Sequence, residues 1–123
     1  MIHAYTRVSI PTQRADLQTD EILRFLSQSN RAPDQWVHEV VPLSLPWRQR
    51  KLAVVIEALG PGDYLAVVSF DRLDRDRDKL LDIIEAVRCR GAYLLVSPDY
   101  ADVAMPREMM AAIKSIAKPL DPQ

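Results

Sequence analysis

Short stretches rich in β-branched and aromatic residues alternate along this sequence with stretches that carry apolar residues at helical spacing. The first type predicts strands and the second predicts helices, because their apolar residues recur about every 2 and every 3.6 positions. The expected strands cover residues 2–9, 36–41, 64–70 and 92–97, and the expected helices cover 13–27, 52–59, 79–90 and 106–118. This alternation constrains the fold more than any other feature. It favours an α/β sandwich in which helices flank a mostly parallel sheet of four to five strands.

Composition and charge narrow the class of protein further. The 123 residues suit one domain, and a content of 48% hydrophobic and 27% charged residues is typical of a globular protein. The formal net charge of -1 gives no general attraction to nucleic acid, so any such binding would need a local cluster of arginines. The lone Cys89 fits a reducing compartment, and no apolar run reaches the roughly 18 residues that span a bilayer. We therefore expect a soluble, cytoplasmic domain without a membrane partner.

Polar residues suited to phosphate chemistry follow two of the predicted strands. Arg7 and Ser9 end the first strand and share one side of it, and Arg72 and Arg75 follow the third strand. If these strands are parallel neighbours, the four side chains meet at the edge of the sheet where α/β proteins bind ligands. A serine hydroxyl among guanidinium groups suits attack on a phosphodiester, because fixed arginines stabilise a pentacoordinate phosphorus without a metal. The alternative for the same residues is a solvated, charged turn.

Two motifs resemble those of a known family. The first is Tyr5-Thr6-Arg7-Val8-Ser9, followed by Gln13 and by Asp16-Leu17-Gln18; the second is Gly62-Asp63, followed after seven residues by Asp71-Arg72-Leu73-x-Arg75. Both resemble signatures of the serine recombinases, the resolvase and invertase family, in their order and spacing. The resemblance covers roughly residues 2–97. It implies a resolvase-like three-layer catalytic domain over residues 1–104, then a short C-terminal helix and tail over 105–123 with no DNA-binding domain.

The resemblance also implies a chemistry. Ser9 would attack the scissile phosphate of DNA, form a 5′-phosphoserine link and release a 3′-hydroxyl, with no cofactor, ATP or metal. The other site residues would hold the reacting group: Arg7, Arg72 and Arg75 bind the phosphate, and Asp71 and Gln18 orient the site. The implied partners are DNA and further recombinase chains, which are either copies of this chain in a dimer or tetramer or a separate partner recombinase.

Four features depart from the family pattern. Asp74 stands where a small residue is usual, and its carboxylate beside the phosphate site, with Asp76 and Asp78 following, would repel DNA. The family's arginine in the loop before the second helix falls near Gln49, so either Arg48 or Arg50 would make that DNA contact. The segment 106–118 is short and poor in basic residues, and no helix-turn-helix follows it.

These departures leave two functions open. The first is a catalytic domain that cuts and rejoins DNA. The second is a non-catalytic, shortened relative that acts as an interaction or regulatory module for a full-length recombinase. An unrelated phosphate-binding or receiver-like α/β domain would explain the fold but not the two motifs.

Overall fold

The computed structural model describes residues 1–100, which form one sheet flanked by helices. This part of the chain contains four strands, β1 (Ile2–Val8), β2 (Gln35–Val40), β3 (Tyr64–Val67) and β4 (Tyr93–Val96). Its three α-helices are α1 (Ala15–Ser27), α2 (Lys51–Ala58) and α3 (Arg77–Cys89). The strands lie in the order β2-β1-β3-β4, and every neighbouring pair is parallel. The predicted α/β class with a parallel sheet is therefore confirmed. The predicted helix at 106–118 and the boundary at residue 104 lie outside the described residues.

The helices cover both faces of the sheet and so make three layers. Successive residues of β1 point to opposite faces, so Ile2 and Ala4 pack with α1 whereas Tyr5 packs with α2 and α3. The helical side chains that close the α1 face are Ile22, Phe25 and Leu26, and those on the opposite face include Leu52, Ile56, Leu80 and Ile84. All seven residues of β1 are buried, as expected of a central strand covered on both sides. Across residues 1–100, no helix is long and apolar enough to cross a membrane.

The third strand is shorter than its sequence pattern predicts. Its pairing with β4 ends at Val67, and Phe70–Arg72 form a 3₁₀ turn instead of extending the strand. The amide of Leu73 closes this turn by donating to the carbonyl of Phe70 at 2.9 Å. The apolar sequence does not distinguish this turn from a strand, because Phe70 is buried in the turn as it would be in a strand. The turn brings the residues that follow β3 against the end of β1.

Candidate active site

The carboxyl ends of β1 and β3 meet at one edge of the sheet, and Arg7 is fixed between them. Only 2% of the Arg7 surface is exposed. Its Nη1 donates to Ser9 Oγ at 3.0 Å and to the carbonyl of Val41 at 3.1 Å. Its Nε donates to the carbonyl of Arg72 at 3.0 Å, and its Nη2 donates to that of Asp71 at 3.4 Å. One guanidinium therefore joins the exposed Ser9 hydroxyl to the segments that follow β2 and β3.

The Arg7 guanidinium is a buried cation directed at the serine hydroxyl. Burial lowers its pKa, and the positive charge of Arg72 lowers that pKa further. Arginine nevertheless keeps its proton in proteins. A hydrogen bond from a cation stabilises negative charge on the oxygen that accepts it. The contact therefore favours ionisation of the Ser9 hydroxyl.

Asp71 is the acidic residue of this site and lies in the turn after β3. Its Oδ2 lies 3.2 Å from Nη2 of Arg72 and 3.8 Å from Nη2 of Arg75. Its Oδ1 accepts a hydrogen bond from the buried Ser69 hydroxyl. Burial alone would raise the pKa of the Asp71 carboxyl, but the hydrogen bonds from Ser69 and Arg72 outweigh burial and hold that pKa below its usual range. Asp71 is therefore an anion that contacts two arginines.

The two arginines after β3 differ in exposure. Arg72 is half-buried, and its Nη1 donates to the carbonyl of Arg7 at 3.2 Å. Arg75 is exposed over 65% of its side chain, and its Nη2 lies 3.8 Å from Oδ2 of the Asp71 carboxylate. Arg72 and Arg75 place two guanidinium groups beside the Asp71 carboxylate, and Arg7 adds a third that donates to the Asp71 main-chain carbonyl. This edge of the sheet therefore carries a net positive charge and suits an anionic ligand.

Two glutamines hold the backbone around the serine. The Gln18 amide, from α1, accepts from the Arg7 backbone N–H at 3.2 Å and donates to the Arg7 carbonyl at 2.8 Å. Gln13 Oε1 accepts from the backbone N–H of Ser9 at 2.6 Å. Gln18 was predicted as an orienting residue, and it contacts backbone. Gln13 appeared in the sequence motif without a role, and only its contact with Ser9 reveals one. Ser69 was not predicted at all, because a single serine after an apolar strand carries no distinguishing signal.

A cavity of about 380 Å³ opens beside these residues, between α1 and the ends of β1 and β3. The polar side chains that line it include Gln13, Arg14, Gln18, Ser69, Asp71 and Arg72. The cavity is therefore bordered by the residues that hold the Ser9 backbone on one side and by the Asp71–Arg72 turn on the other. This is the edge of a parallel sheet at which α/β proteins bind ligands.

The two arginines before α2 occupy very different positions. Arg48 is exposed, stacks on the Trp47 ring with its Cζ 4.4 Å from the ring centroid, and donates to Asp82 at 2.6 Å. The Arg50 side chain has no exposed surface, and its Nη2 donates to Asp74 Oδ2 at 3.0 Å. Of these two arginines, only Arg48 is at the surface, whereas Arg50 lies inside the protein. The structure brings together the six other predicted site residues, which are Arg7, Ser9, Gln18, Asp71, Arg72 and Arg75.

Asp74 is not a free carboxylate beside the phosphate site. It is buried, and its charge is neutralised by Arg50 within the protein. Asp76 and Asp78, which follow it, are exposed. A charged residue between Leu73 and Arg75 is expected to be solvated, and only the nearby guanidinium makes its burial possible.

Comparisons with known proteins place this chain in a family. The family model described as the N-terminal domain of resolvase matches residues 2–119. A probable DNA-invertase, y4cG, of Sinorhizobium fredii (strain NBRC 101917 / NGR234) is 32% identical over 107 residues, which are 87% of this chain and 33% of that protein. The chain thus spans about a third of the length of the curated relative it matches. It belongs to the serine recombinase family, through the resolvase N-terminal domain.

Proposed function

We propose that this chain is a catalytic domain that cuts and rejoins DNA through a covalent bond between Ser9 and a 5′-phosphate. The observation that carries this proposal is the 3.0 Å contact between Arg7 Nη1 and Ser9 Oγ, at a sheet edge that also holds Arg72 and Arg75. It combines an exposed nucleophile with fixed cations. That pairing suits transfer of a phosphoryl group from one oxygen to another.

In the proposed reaction, Ser9 Oγ forms a bond to phosphorus, and the bond from phosphorus to the 3′ oxygen of the neighbouring nucleotide breaks. Ser9 Oγ loses its proton in this step and the departing 3′ oxygen gains one, so the 3′ end is released as a hydroxyl with no net change in protons. Arg7 stabilises the negative charge that develops on Ser9 Oγ, and Arg72 and Arg75 bind the phosphate oxygens, on which charge increases in the transition state. One phosphate ester replaces another, so the bond energy is kept for rejoining to a new 3′ hydroxyl and neither ATP nor a metal is needed.

We also propose that DNA binding uses Arg48. Its side chain is 65% exposed, so it can reach a phosphate without disturbing the core. Arg50, the other arginine expected to contact DNA, would first have to leave Asp74 and expose a buried carboxylate. We therefore assign the DNA contact before α2 to Arg48, whereas Arg50 of the same loop stays paired with Asp74.

Strand exchange requires more than one copy of the chain. Each chain carries one Ser9 and can hold one cleaved strand, whereas a duplex site has two strands and an exchange involves two sites. The proposed partners are therefore DNA and either copies of this chain, two for a duplex site and four for an exchange, or a partner recombinase.

The second candidate function is an interaction or regulatory module for a full-length recombinase. It is favoured by the formal net charge of -1, which gives no general attraction to DNA. This function predicts association with a complete recombinase and no strand cleavage, so the same assay separates the two.

The test uses nicked duplexes with a randomised central segment, labelled at the 3′ end of the strand that would become attached to Ser9. A nick near the cleavage site lets the short product diffuse away, so the covalent intermediate accumulates. We expect a labelled protein band on a denaturing gel with the natural chain and with Ser29→Ala, and none with Ser9→Ala. Ser29 is exposed and lies just past the end of α1, so it controls for loss of a serine hydroxyl.

Two results would contradict the proposal. The first is a covalent band that survives Ser9→Ala, which would place the nucleophile elsewhere. The second is the lack of any band, also when a full-length family member is added, together with co-purification of the two proteins. That combination would favour the interaction module.

A further inference from the structure

Ser69 is buried just after β3 and contacts the Asp71 carboxylate. It follows β3 in an extended conformation, with φ -151° and ψ 161°, and only 5% of its surface is exposed. Its hydroxyl donates to Asp71 Oδ1, two residues further along the chain. Ser69 also lines the cavity beside Gln13 and Arg72. It is thus a buried hydroxyl that touches a site residue.

The two oxygens of Asp71 have partly different partners. Oδ1 accepts from Ser69 Oγ and from Arg72 Nε at 3.5 Å, whereas Oδ2 lies 3.2 Å from Nη2 of Arg72 and 3.8 Å from Nη2 of Arg75. Rotation of the carboxylate about its Cβ–Cγ bond is broad in proteins, because this torsion has no narrow preferred angle. A hydrogen bond to one oxygen selects one rotation, and with it the direction in which the other oxygen faces the two arginines.

We propose that Ser69 is a positioning residue for the phosphate-binding arginines and acts through the Asp71 carboxylate. The inference rests on the proposed function, because Arg72 and Arg75 matter to the reaction only if a phosphate is transferred. Among residues 1–100, the Ser69 hydroxyl hydrogen-bonds Asp71 and not Ser9. Its role is to keep Asp71 oriented so that the guanidinium groups face the cavity edge.

The charged groups around Asp71 come from three parts of the fold. Arg72 and Arg75 lie in the segment after β3, and Arg7 extends from β1 to the Asp71 carbonyl. Arg14, which precedes α1, and Glu21 of α1 line the same cavity. The Ser69 hydrogen bond adds to the arginines in holding the Asp71 pKa low, against the effect of burial. Removal of this hydroxyl destabilises the ionised carboxylate, so the titration of Asp71 moves to higher pH.

The experiment compares the natural chain with Ser69→Ala, Ser69→Thr and the control Ser29→Ala. In each of these proteins, the Asp71 side-chain carboxyl is followed by ¹³C NMR during an acid titration. Its signal is assigned in the natural protein by its loss in Asp71→Asn. We expect a higher midpoint in Ser69→Ala, and a midpoint close to that of the natural chain in Ser69→Thr and Ser29→Ala. Threonine keeps the donating hydroxyl, and its β-branch suits the extended backbone at this position.

The same four proteins are then compared on the nicked duplexes. We expect the rate of covalent adduct formation to fall by about tenfold in Ser69→Ala, which corresponds to the loss of one hydrogen bond to a charged group. The Kd for the DNA stays within about twofold, because the exposed cations that attract phosphate remain. Ser69→Thr restores the rate. A role in folding alone would not separate rate from affinity in this way.

Each outcome bears on one of the two proposals. An unchanged Asp71 midpoint in Ser69→Ala overturns the positioning role, and so does an unchanged adduct rate when the natural chain forms adduct. A raised midpoint with no adduct from the natural chain contradicts the proposed cleavage function, while it supports the contact between Ser69 and Asp71. If Ser69→Thr does not fold, Ser69→Ala alone decides both measurements.

Discussion

Arg50 and Asp74 lie 24 positions apart in the sequence and form a buried ion pair. Both carboxylate oxygens of Asp74 are used, since Oδ2 accepts from Arg50 and Oδ1 accepts from the backbone N–H of Asp76 at 3.0 Å. Arg50 Nη1 also donates to the carbonyl of Leu73 at 2.6 Å. The pair therefore joins the loop before α2 to the segment that carries the phosphate-binding arginines. Removal of either partner lowers stability, because the remaining charge is then buried away from water without a counterion.

Replacing one partner of this pair should be costly. We expect Asp74→Asn to lower the free energy of unfolding by about 3–5 kcal/mol, because the buried Arg50 charge loses its counterion. The exposed Asp78→Asn, the matched control, should change it by less than about 0.5 kcal/mol. Chemical denaturation at neutral pH measures both values. In a double-mutant cycle, Arg50→Gln with Asp74→Asn should cost less than the sum of the single changes. Additive costs would contradict a direct interaction.

The low pKa of Asp71 gives the protein an acid-dependent part of its stability. Hydrogen bonds and charges in the folded state favour the ionised carboxylate, so the folded pKa lies below the ordinary value of 3.8. This contribution is fully present above that ordinary value and is lost as the pH falls through the lower folded pKa. We expect Asp71→Asn to reduce the fall in unfolding free energy between pH 4 and acid unfolding, measured by urea denaturation. An unchanged slope would contradict the shift.

At the scale of elements, the turns between helices and strands determine where the site residues lie. Gly62 and Gly91 both have positive φ, at +83° and +72°, and the Gly62 amide donates to the Gly91 carbonyl at 2.9 Å. This bond joins the turn before β3 to the turn before β4. A Cβ added at Gly91 would lie 3.2 Å from Cα of Pro61, so the Pro61 turn would have to shift by a few tenths of an ångström to admit a side chain. Glycine is therefore favoured at position 91 on two grounds, the positive φ and this close approach.

A substitution at Gly91 tests this close approach. We expect Gly91→Ala to lower the free energy of unfolding by about 1–3 kcal/mol, through left-handed backbone strain and the contact with Pro61. Gly60→Ala is the control, because a Cβ there would lie 3.7 Å from its nearest neighbour, at ordinary contact distance. Its effect should stay within about 1 kcal/mol of zero. Thermal and urea unfolding measure both variants. Equal losses of unfolding free energy would contradict a specific effect of the backbone geometry at Gly91.

At the scale of the whole molecule, positive charge is local rather than general. The formal net charge is -1, yet Arg72 and Arg75 lie together at the carboxyl edge of the sheet. Arg48 is a further exposed arginine, in the loop before α2. A protein that contacts few phosphates binds DNA weakly and with a shallow salt dependence, because few counterions are released. The proposed site therefore suits phosphate positioning more than tight binding by itself.

The salt dependence of DNA binding tests this distribution. In the Ser9→Ala background, which prevents cleavage, Arg48→Ala should reduce the slope of log Kd against log salt by about 1. Arg31→Ala is the control: Arg31 is exposed, follows α1 and stacks on Tyr64, the first residue of β3, at the opposite edge of the sheet. Fluorescence anisotropy with a labelled duplex measures both slopes. A loss at Arg31 and none at Arg48 would place the DNA on the other edge.

Much of the fold follows from local patterns, whereas parts of the site do not. Helical spacing of apolar residues predicts α2 and α3, and the apolar run at 64–67 predicts a buried strand. Arg7 and Ser9 could be placed together because two residues apart on one strand share a side. The different positions of Arg48 and Arg50 could not be predicted, since the two arginines have the same chemistry and lie in one loop. Arg50 rather than Arg48 is buried because the folded chain places Asp74 beside it.

The sequence by itself determined the alternation of strands and helices, the parallel sheet, and the residues placed at the ends of β1 and β3. These depend on periodicity over a few residues, which each chain segment carries in its own order of residues. Only the tertiary structure decided which charges are buried and which hydroxyl holds which carboxylate. Arg50 meets Asp74 and Ser69 meets Asp71 because the 3₁₀ turn after β3 and the loop before α2 converge in space. A charge or hydroxyl is stable inside the protein only when such a partner lies within hydrogen-bond distance.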